Sequence, residues 1–206
     1  MRPVKSSAAD ERHGLLRAGY RVLARNQRRF VTLQELLDES GLSTRAFYRH
    51  FETKDQLLVA IYESNATRVE EERAQLIAEA PGPYHALIAW IDSWLTLVYE
   101  ARRSGRVEVL ASSQFLAAEG IDHAIAASHA ASRELLQQVL QEGADSGVFR
   151  TARPQFDSLA LQATVGAIMR QRIDGTLSDP PARTRQTLID FAERIVGVER
   201  AGRRRR

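Results

Sequence analysis

The sequence predicts an all-α protein, and two observations support that prediction. Apolar residues recur at intervals of three and four along most of the chain, which is the spacing of one buried face of an α-helix. Glycine and proline supply only 12 and 6 of the 206 residues and cluster at a few breaks, and no segment of useful length alternates apolar and polar residues as a half-buried strand does. We therefore expect helices joined by short connections.

The first four predicted helices have clear start and stop signals. Thr32, followed three residues later by Glu35, forms the pattern of a capping box at the start of the second helix, and Gly41 suits the left-handed turn that ends it. Ser43 and Thr53 are suitable N-caps for the third and fourth helices. These signals predict helices over about 9–25, 32–39, 43–49 and 54–78.

The remaining predicted helices follow the break at Pro81-Gly82-Pro83. The first of them is apolar on nearly every side, so we expect it to be buried on most sides; its apolar residues are Leu87, Ile88, Trp90, Ile91, Trp94, Leu95, Leu97 and Val98. Further helices are predicted near 106–117, 122–143, 155–174 and 181–198.

Composition excludes several kinds of protein and site. The chain has no cysteine, which excludes a disulfide scaffold, a thiolate zinc site, an iron–sulfur site and a cysteine nucleophile. It has no run of about eighteen apolar residues that could span a membrane. Its first residues lack the apolar segment of a secretory signal, so the expected location is the cytoplasm.

Charge is distributed unevenly along the chain. Residues 1–55 hold 11 basic and 7 acidic side chains, whereas residues 56–199 hold 13 basic and 19 acidic ones, and residues 200–206 add five arginines. A basic end on an acidic body suggests a module that binds a polyanion, joined to a scaffold with another task. Random scatter of surface charge is the alternative reading.

The second and third predicted helices have the dimensions of a helix-turn-helix. Each is about two turns long, and the tight turn at Gly41 joins them, so the third helix can project from a three-helix core into a DNA major groove. Its inner face carries Ala46 and Phe47. Its outer face carries side chains that can contact base edges and phosphates: Thr44, Arg45, Tyr48 and Arg49.

The stretch 31–58, VTLQELLDESGLSTRAFYRHFETKDQLL, resembles the DNA-binding signature of the TetR/AcrR family of bacterial transcriptional regulators. The matching residues are Thr32, Leu36, Gly41-Leu42-Ser43, Phe47-Tyr48, His50-Phe51, Lys54 and Leu57-Leu58. The resemblance implies an N-terminal three-helix DNA-binding domain over 1–53, joined to a larger helical domain over 54–199 that binds an effector and dimerises. Residues 200–206 are expected to form a basic, disordered tail.

The resemblance also implies roles for particular residues. Thr32, Tyr48, His50 and Lys54 match positions that contact phosphate, and Thr44 and Arg45 match positions that approach bases. The predicted DNA-binding set is Thr32, Ser43, Thr44, Arg45, Tyr48, Arg49, His50 and Lys54. Two departures from the family pattern are Gln27, where glycine is usual, and Arg45, where a small residue is common. Four of these residues have an alternative explanation that does not involve DNA. Tyr48 could be a core aromatic and His50 a helix cap, and Arg45 and Arg49 could be solvated surface charges.

The body carries two further sets of candidates. Side chains that could line an apolar effector cavity are Trp90, Trp94, Tyr99, Gln114, Phe115, His123 and Met169, although an aromatic stripe at helical spacing is more often core. The last two helices offer small and apolar surfaces suited to a four-helix dimer interface, at Leu159, Ala163, Ala167, Leu188, Phe191, Ala192 and Ile195.

The resemblance implies a homodimeric repressor that a small-molecule effector releases from a palindromic operator. The alternative is a helical adaptor or enzyme with a vestigial DNA-binding end. No nucleotide-binding, zinc-protease or serine-hydrolase motif is present in the sequence, and no repeated Glu-x-x-His pattern suggests a metal pair. We therefore expect no catalytic residue, no cofactor and no metal.

Overall fold

The computed structural model describes residues 7–25, 31–100, 109–110 and 112–198. Within these ranges every regular element is helical, and no helix is long and apolar enough to cross a lipid bilayer. In chain order the helices are α1 (Ala8–Arg25), α2 (Leu33–Ser40), α3 (Thr44–His50), α4 (Lys54–Ala78), α5 (Pro83–Tyr99), α6 (Ser113–Leu116), α7 (Ile121–Asp145), α8 (Pro154–Ile173) and α9 (Pro181–Val196).

The predicted all-α class is confirmed, and most predicted helices agree with the structure to within one or two residues at each end. The helix predicted over 106–117 is described only in part, as α6 and the helical residues 109–110. Gln27, Arg28, Arg29 and the tail 200–206 lie outside the described residues.

The helices pack into two compact units. The first consists of residues 1–68 and 105–128, and the second of 69–104 and 129–206, so α4 and α7 each contribute to both. The predicted boundary between residues 53 and 54 does not coincide with these limits. The reason is that the core of the first unit includes Leu57, Leu58 and Ile61 from α4, together with Phe115 and Ile121.

Two local devices shape the helix-turn-helix, both as the sequence predicts. Thr32 caps α2: its Oγ1 accepts a hydrogen bond from the Glu35 amide at 3.3 Å, while its own amide donates to Glu35 Oε2 at 2.8 Å. Gly41 ends α2 with a φ of 67°, a left-handed conformation that glycine adopts without steric cost. The chain therefore enters α3 in a fixed direction.

In the second unit, α5 lies at the centre and packs against α8 and α9. Leu87, Trp90 and Ile91 are fully buried, as the apolar sequence of this helix predicts. Polar contacts join α5 to α9 around this core: the Tyr84 hydroxyl donates to Glu193 at 2.8 Å, and Arg185 forms a bidentate pair with Asp92 at 2.6 and 2.9 Å.

Candidate nucleic-acid interface

The inner face of α3 fixes this short helix in the first unit. The Ser43 hydroxyl accepts a hydrogen bond from the Ala46 amide at 3.2 Å and so caps the helix at its start. Ala46 and Phe47 are buried, and the ring of Phe47 lies 5.9 Å from that of Phe51, which is also in the core. Since seven residues alone cannot form a stable helix, this packing holds α3 in shape.

The outer face of α3 is open to solvent. All four of its outward side chains are exposed: Thr44, Arg45, Tyr48 and Arg49. Tyr48 is 56% exposed although its ring packs edge to face with that of Phe47. This exposure excludes the alternative in which Tyr48 is a core residue. A two-turn helix with one buried face and one polar, cationic face is the geometry that a recognition helix requires.

The C-terminal end of α3 is held by a residue that the sequence interpretation missed. Glu11 of α1 places Oε2 3.2 Å from Arg49 Nη2 and 3.1 Å from His50 Nε2. The His50 side chain is only 9% exposed, whereas that of Arg49 is 58% exposed. The His50 side chain is therefore directed into the unit, whereas the Arg49 guanidinium forms an ion pair with Glu11 and stays exposed. The sequence offers one local signal, which is that Glu11 precedes the apolar Leu15 by one helical turn.

The other two predicted phosphate contacts lie at helix starts. Thr32 is exposed and is the N-cap of α2. The partial positive charge of a helix N-terminus attracts anions at this position. The ammonium group of Lys54, at the start of α4, donates to the Val31 carbonyl at 3.3 Å. Lys54 thereby links the start of α4 to the residue before the Thr32 cap.

The predicted effector-site residues do not gather in one unit. Trp90, Trp94, Tyr99 and Met169 belong to the second unit, whereas Gln114, Phe115 and His123 belong to the first. Phe115 is a fully buried core residue of the first unit, and His123 is exposed. The two tryptophan rings meet edge to face at 6.1 Å inside the second unit, and Tyr99 bonds to the Thr184 hydroxyl at 2.9 Å.

The predicted dimer residues divide into exposed and buried sets. Leu159 is 51% exposed and Ala163 is exposed, while Ala167, Phe191 and Ile195 are half-buried. Leu188 and Ala192 need correction, because at 2% and 0% exposure they pack inside the chain itself and leave no side-chain surface for a second copy. Phe156, which the sequence interpretation omitted, is 59% exposed one turn before Leu159.

Comparison with known proteins agrees with this geometry. Residues 15–61 match the family model described as bacterial regulatory proteins, tetR family. No curated protein sequence matches the chain significantly. The matched segment covers α2, α3 and most of the first-unit core from which α3 projects. The geometry and the match together define a helix-turn-helix DNA-binding protein.

Solved structures share the fold over nearly the whole chain. A TetR transcription regulator from Haloarcula marismortui is 22% identical, with coverage of 90% of this chain and 98% of that one and a TM-score of 0.76. A protein from Saccharomonospora viridis in complex with choline is 18% identical, with coverage of 93% and 100% and a TM-score of 0.77. FadR from Bacillus subtilis in complex with stearoyl-CoA is 14% identical, with coverage of 91% and 99% and a TM-score of 0.69. At these identities the likeness concerns the fold. The match of residues 15–61 assigns a DNA-binding domain of the tetR family to that segment, and the solved structures show that the rest of the chain shares their fold.

Proposed function

We propose that the chain is a homodimeric repressor that binds a palindromic operator and is released by a small-molecule effector. The observation that carries the proposal is the division of α3 into a buried face and an exposed one. Ala46 and Phe47 are buried, while Thr44, Arg45 and Tyr48 face solvent. Arginine can pair bidentately with a guanine edge, a threonine methyl can contact that of thymine, and a tyrosine hydroxyl can bind phosphate.

Selection of binding sites from random duplex DNA tests the DNA-binding step. Two recognition helices related by a twofold axis read half-sites about one helical turn apart, so the selected sites should be inverted repeats. Arg45→Ala should relax the preference at one or two base pairs, each worth about 1–3 kcal/mol. Tyr48→Phe should weaken binding to all sites by a similar factor, because it removes a phosphate contact. Selected sites without symmetry, or no selection at all, would contradict the proposal.

The exposed apolar surface of α8 supports self-association. Phe156, Leu159 and Ala163 recur at intervals of three and four on this helix, and all three are exposed. Leu159→Glu should convert a dimer to monomers in sedimentation equilibrium, since it places a charge in a close helix contact. Leu76→Glu is the matched control, because Leu76 is 48% exposed and lies outside the proposed interface. Equal effects of the two substitutions would count against this surface.

Effector release is supported by the ligands of two structural relatives, which hold choline and stearoyl-CoA. An effector acts only through its different affinities for the DNA-binding form and the released form. A coupling free energy of about 1–3 kcal/mol would weaken operator binding about 5–150-fold. Operator titrations with and without candidate ligands measure this factor. Ligands that bind tightly and leave operator affinity unchanged would refute the release step.

A further inference from the structure

The second unit buries a charged side chain on α4. Arg73 is 0% exposed, and its guanidinium lies over the ring of Trp94, with Cζ 4.2 Å from the ring centre. Its Nε donates to the Ser93 hydroxyl at 2.8 Å, and its Nη1 donates to the Ser132 hydroxyl at 3.1 Å and to Glu70. We call Glu70, Arg73 and Trp94 the Arg73 cluster. Burial lowers the pKa of Arg73, and the carboxylate of Glu70 opposes that shift.

Each member of the Arg73 cluster has one polar atom without a hydrogen-bond partner among the described residues. These atoms are Glu70 Oε2, Arg73 Nη2 and Trp94 Nε1, and all three are shielded from solvent. Trp90 offers a direct comparison, because its Nε1 donates to the Ser132 carbonyl at 3.2 Å. A buried donor or acceptor without a partner costs about 1–3 kcal/mol, and folded proteins retain few of them. Three such atoms, on Arg73 and on the two side chains that contact it, indicate a site for a polar group.

The three atoms specify the chemistry of that group. Arg73 Nη2 and Trp94 Nε1 are donors and require an acceptor oxygen, whereas Glu70 Oε2 requires a donor hydrogen. Arg73 disfavours a cation and Glu70 disfavours an anion, so a neutral group fits best. A hydroxyl or a primary carboxamide carries both an acceptor oxygen and a donor hydrogen and has no charge. The aromatic rings of Trp90 and Trp94 beside the cluster suit an apolar remainder.

We propose that the Arg73 cluster binds the polar end of the effector, and that the effector is a neutral, mainly apolar molecule with a hydroxyl or carboxamide group. This inference rests on the proposed function. Because the three atoms are shielded in the packed unit, a ligand reaches them only when the side chains from α4, α5 and α7 separate. The ligand therefore favours the separated form, which gives it the difference in affinity that release requires.

The test uses the two tryptophans, which are the only ones in the sequence. Trp90→Phe leaves Trp94 as the sole indole, and Trp94→Phe removes the unpaired N–H while an aromatic ring remains. Four probes share one ring and differ in their polar group: benzyl alcohol, benzamide, benzoate and benzyltrimethylammonium. Indole fluorescence and calorimetry measure their binding to the full-length parent and to both variants, and melting curves verify that each variant is folded.

The alcohol and the amide should bind saturably and at least about tenfold more tightly than the two charged probes, since an unmatched buried charge costs more than a neutral group. Trp94→Phe should weaken their binding about three- to tenfold through loss of one hydrogen bond. Trp90→Phe should weaken it less, because the Trp90 N–H already donates to the Ser132 carbonyl. A charged probe that binds as tightly as the neutral ones would overturn the proposal, as would equal binding by the two variants or no saturable binding of any probe. Operator binding by the parent is measured in parallel without any probe, because its absence would instead refute the proposed function.

Discussion

Glu11→Gln offers a quantitative test of the contact between α1 and the recognition helix. Glu11 Oε2 lies 3.2 Å from Arg49 Nη2, so the carboxylate competes with DNA phosphate for one guanidinium in each chain. Glutamine keeps the size of the side chain and can still hydrogen-bond to His50, but it carries no charge. The substitution should free Arg49 to bind phosphate, which would strengthen non-specific DNA binding and reduce the preference for the operator.

The magnitude follows from counterion release. One added phosphate contact steepens the slope of log affinity against log salt by about 0.9, and a dimer would add two. Between about 50 and 200 mM salt, the Glu11→Gln protein should therefore lose about tenfold more affinity than the parent. Fluorescence anisotropy with a random duplex, at several salt concentrations, measures both slopes.

The Arg49→Ala background provides the control for this prediction. If the effect acts through Arg49, adding Glu11→Gln to Arg49→Ala should leave the salt slope unchanged, as in a double-mutant cycle. Identical slopes for the parent and Glu11→Gln would refute the competition between carboxylate and phosphate. A steeper slope that persists without Arg49 would show that Glu11 acts through general charge alone.

Three further predictions concern stability. Gly143→Ala should destabilise the fold by about 1–3 kcal/mol in urea unfolding, because the new Cβ would lie 1.9 Å from the ring of Phe149, whereas Gly14→Ala, with no atom within 4 Å, should cost nothing. Thr32→Ala should cost about 1 kcal/mol through loss of the α2 cap, and Thr32→Ser should retain most of it. Hydrogen bonds from two arginines of α1 lower the pKa of Glu39 below its usual 4.5, so its stabilising effect is complete above that pH and is lost as the pH falls further. Acid-unfolding curves of Glu39→Gln should therefore approach those of the parent at low pH, and curves that stay parallel would contradict this assignment.

Local signals in the sequence predicted the helix-turn-helix well, because its determinants are close together in the chain. The capping box at Thr32 and the left-handed turn at Gly41 each depend on residues within a few positions. Phe47 was assignable to the core by its place opposite the polar face of α3. The tetR-family match of residues 15–61 then follows from the same residues.

Long-range partners could not be predicted in the same way. Glu11 contacts His50, which lies 39 residues further along the chain, and Arg73 donates a hydrogen bond to Ser132, which lies 59 residues further along. Arg73 stands in the highly charged stretch 68–73, whose pattern is typical of a solvated helix surface. The apolar stripe of α9 indicated that this face is buried. At Leu188, however, the face is buried within the same chain and not against a second copy. Periodicity identifies a buried face and does not identify its partner.

The separation of buried and exposed residues on α3 has a consequence for how related proteins diverge. The residues that hold the helix, such as Phe47, are separate from those that face outward, such as Arg45 and Tyr48. Substitutions at exposed positions usually change stability by no more than about 0.5 kcal/mol. New combinations of outward side chains can therefore be sampled over generations with little risk of unfolding, and one inherited scaffold can acquire new target genes.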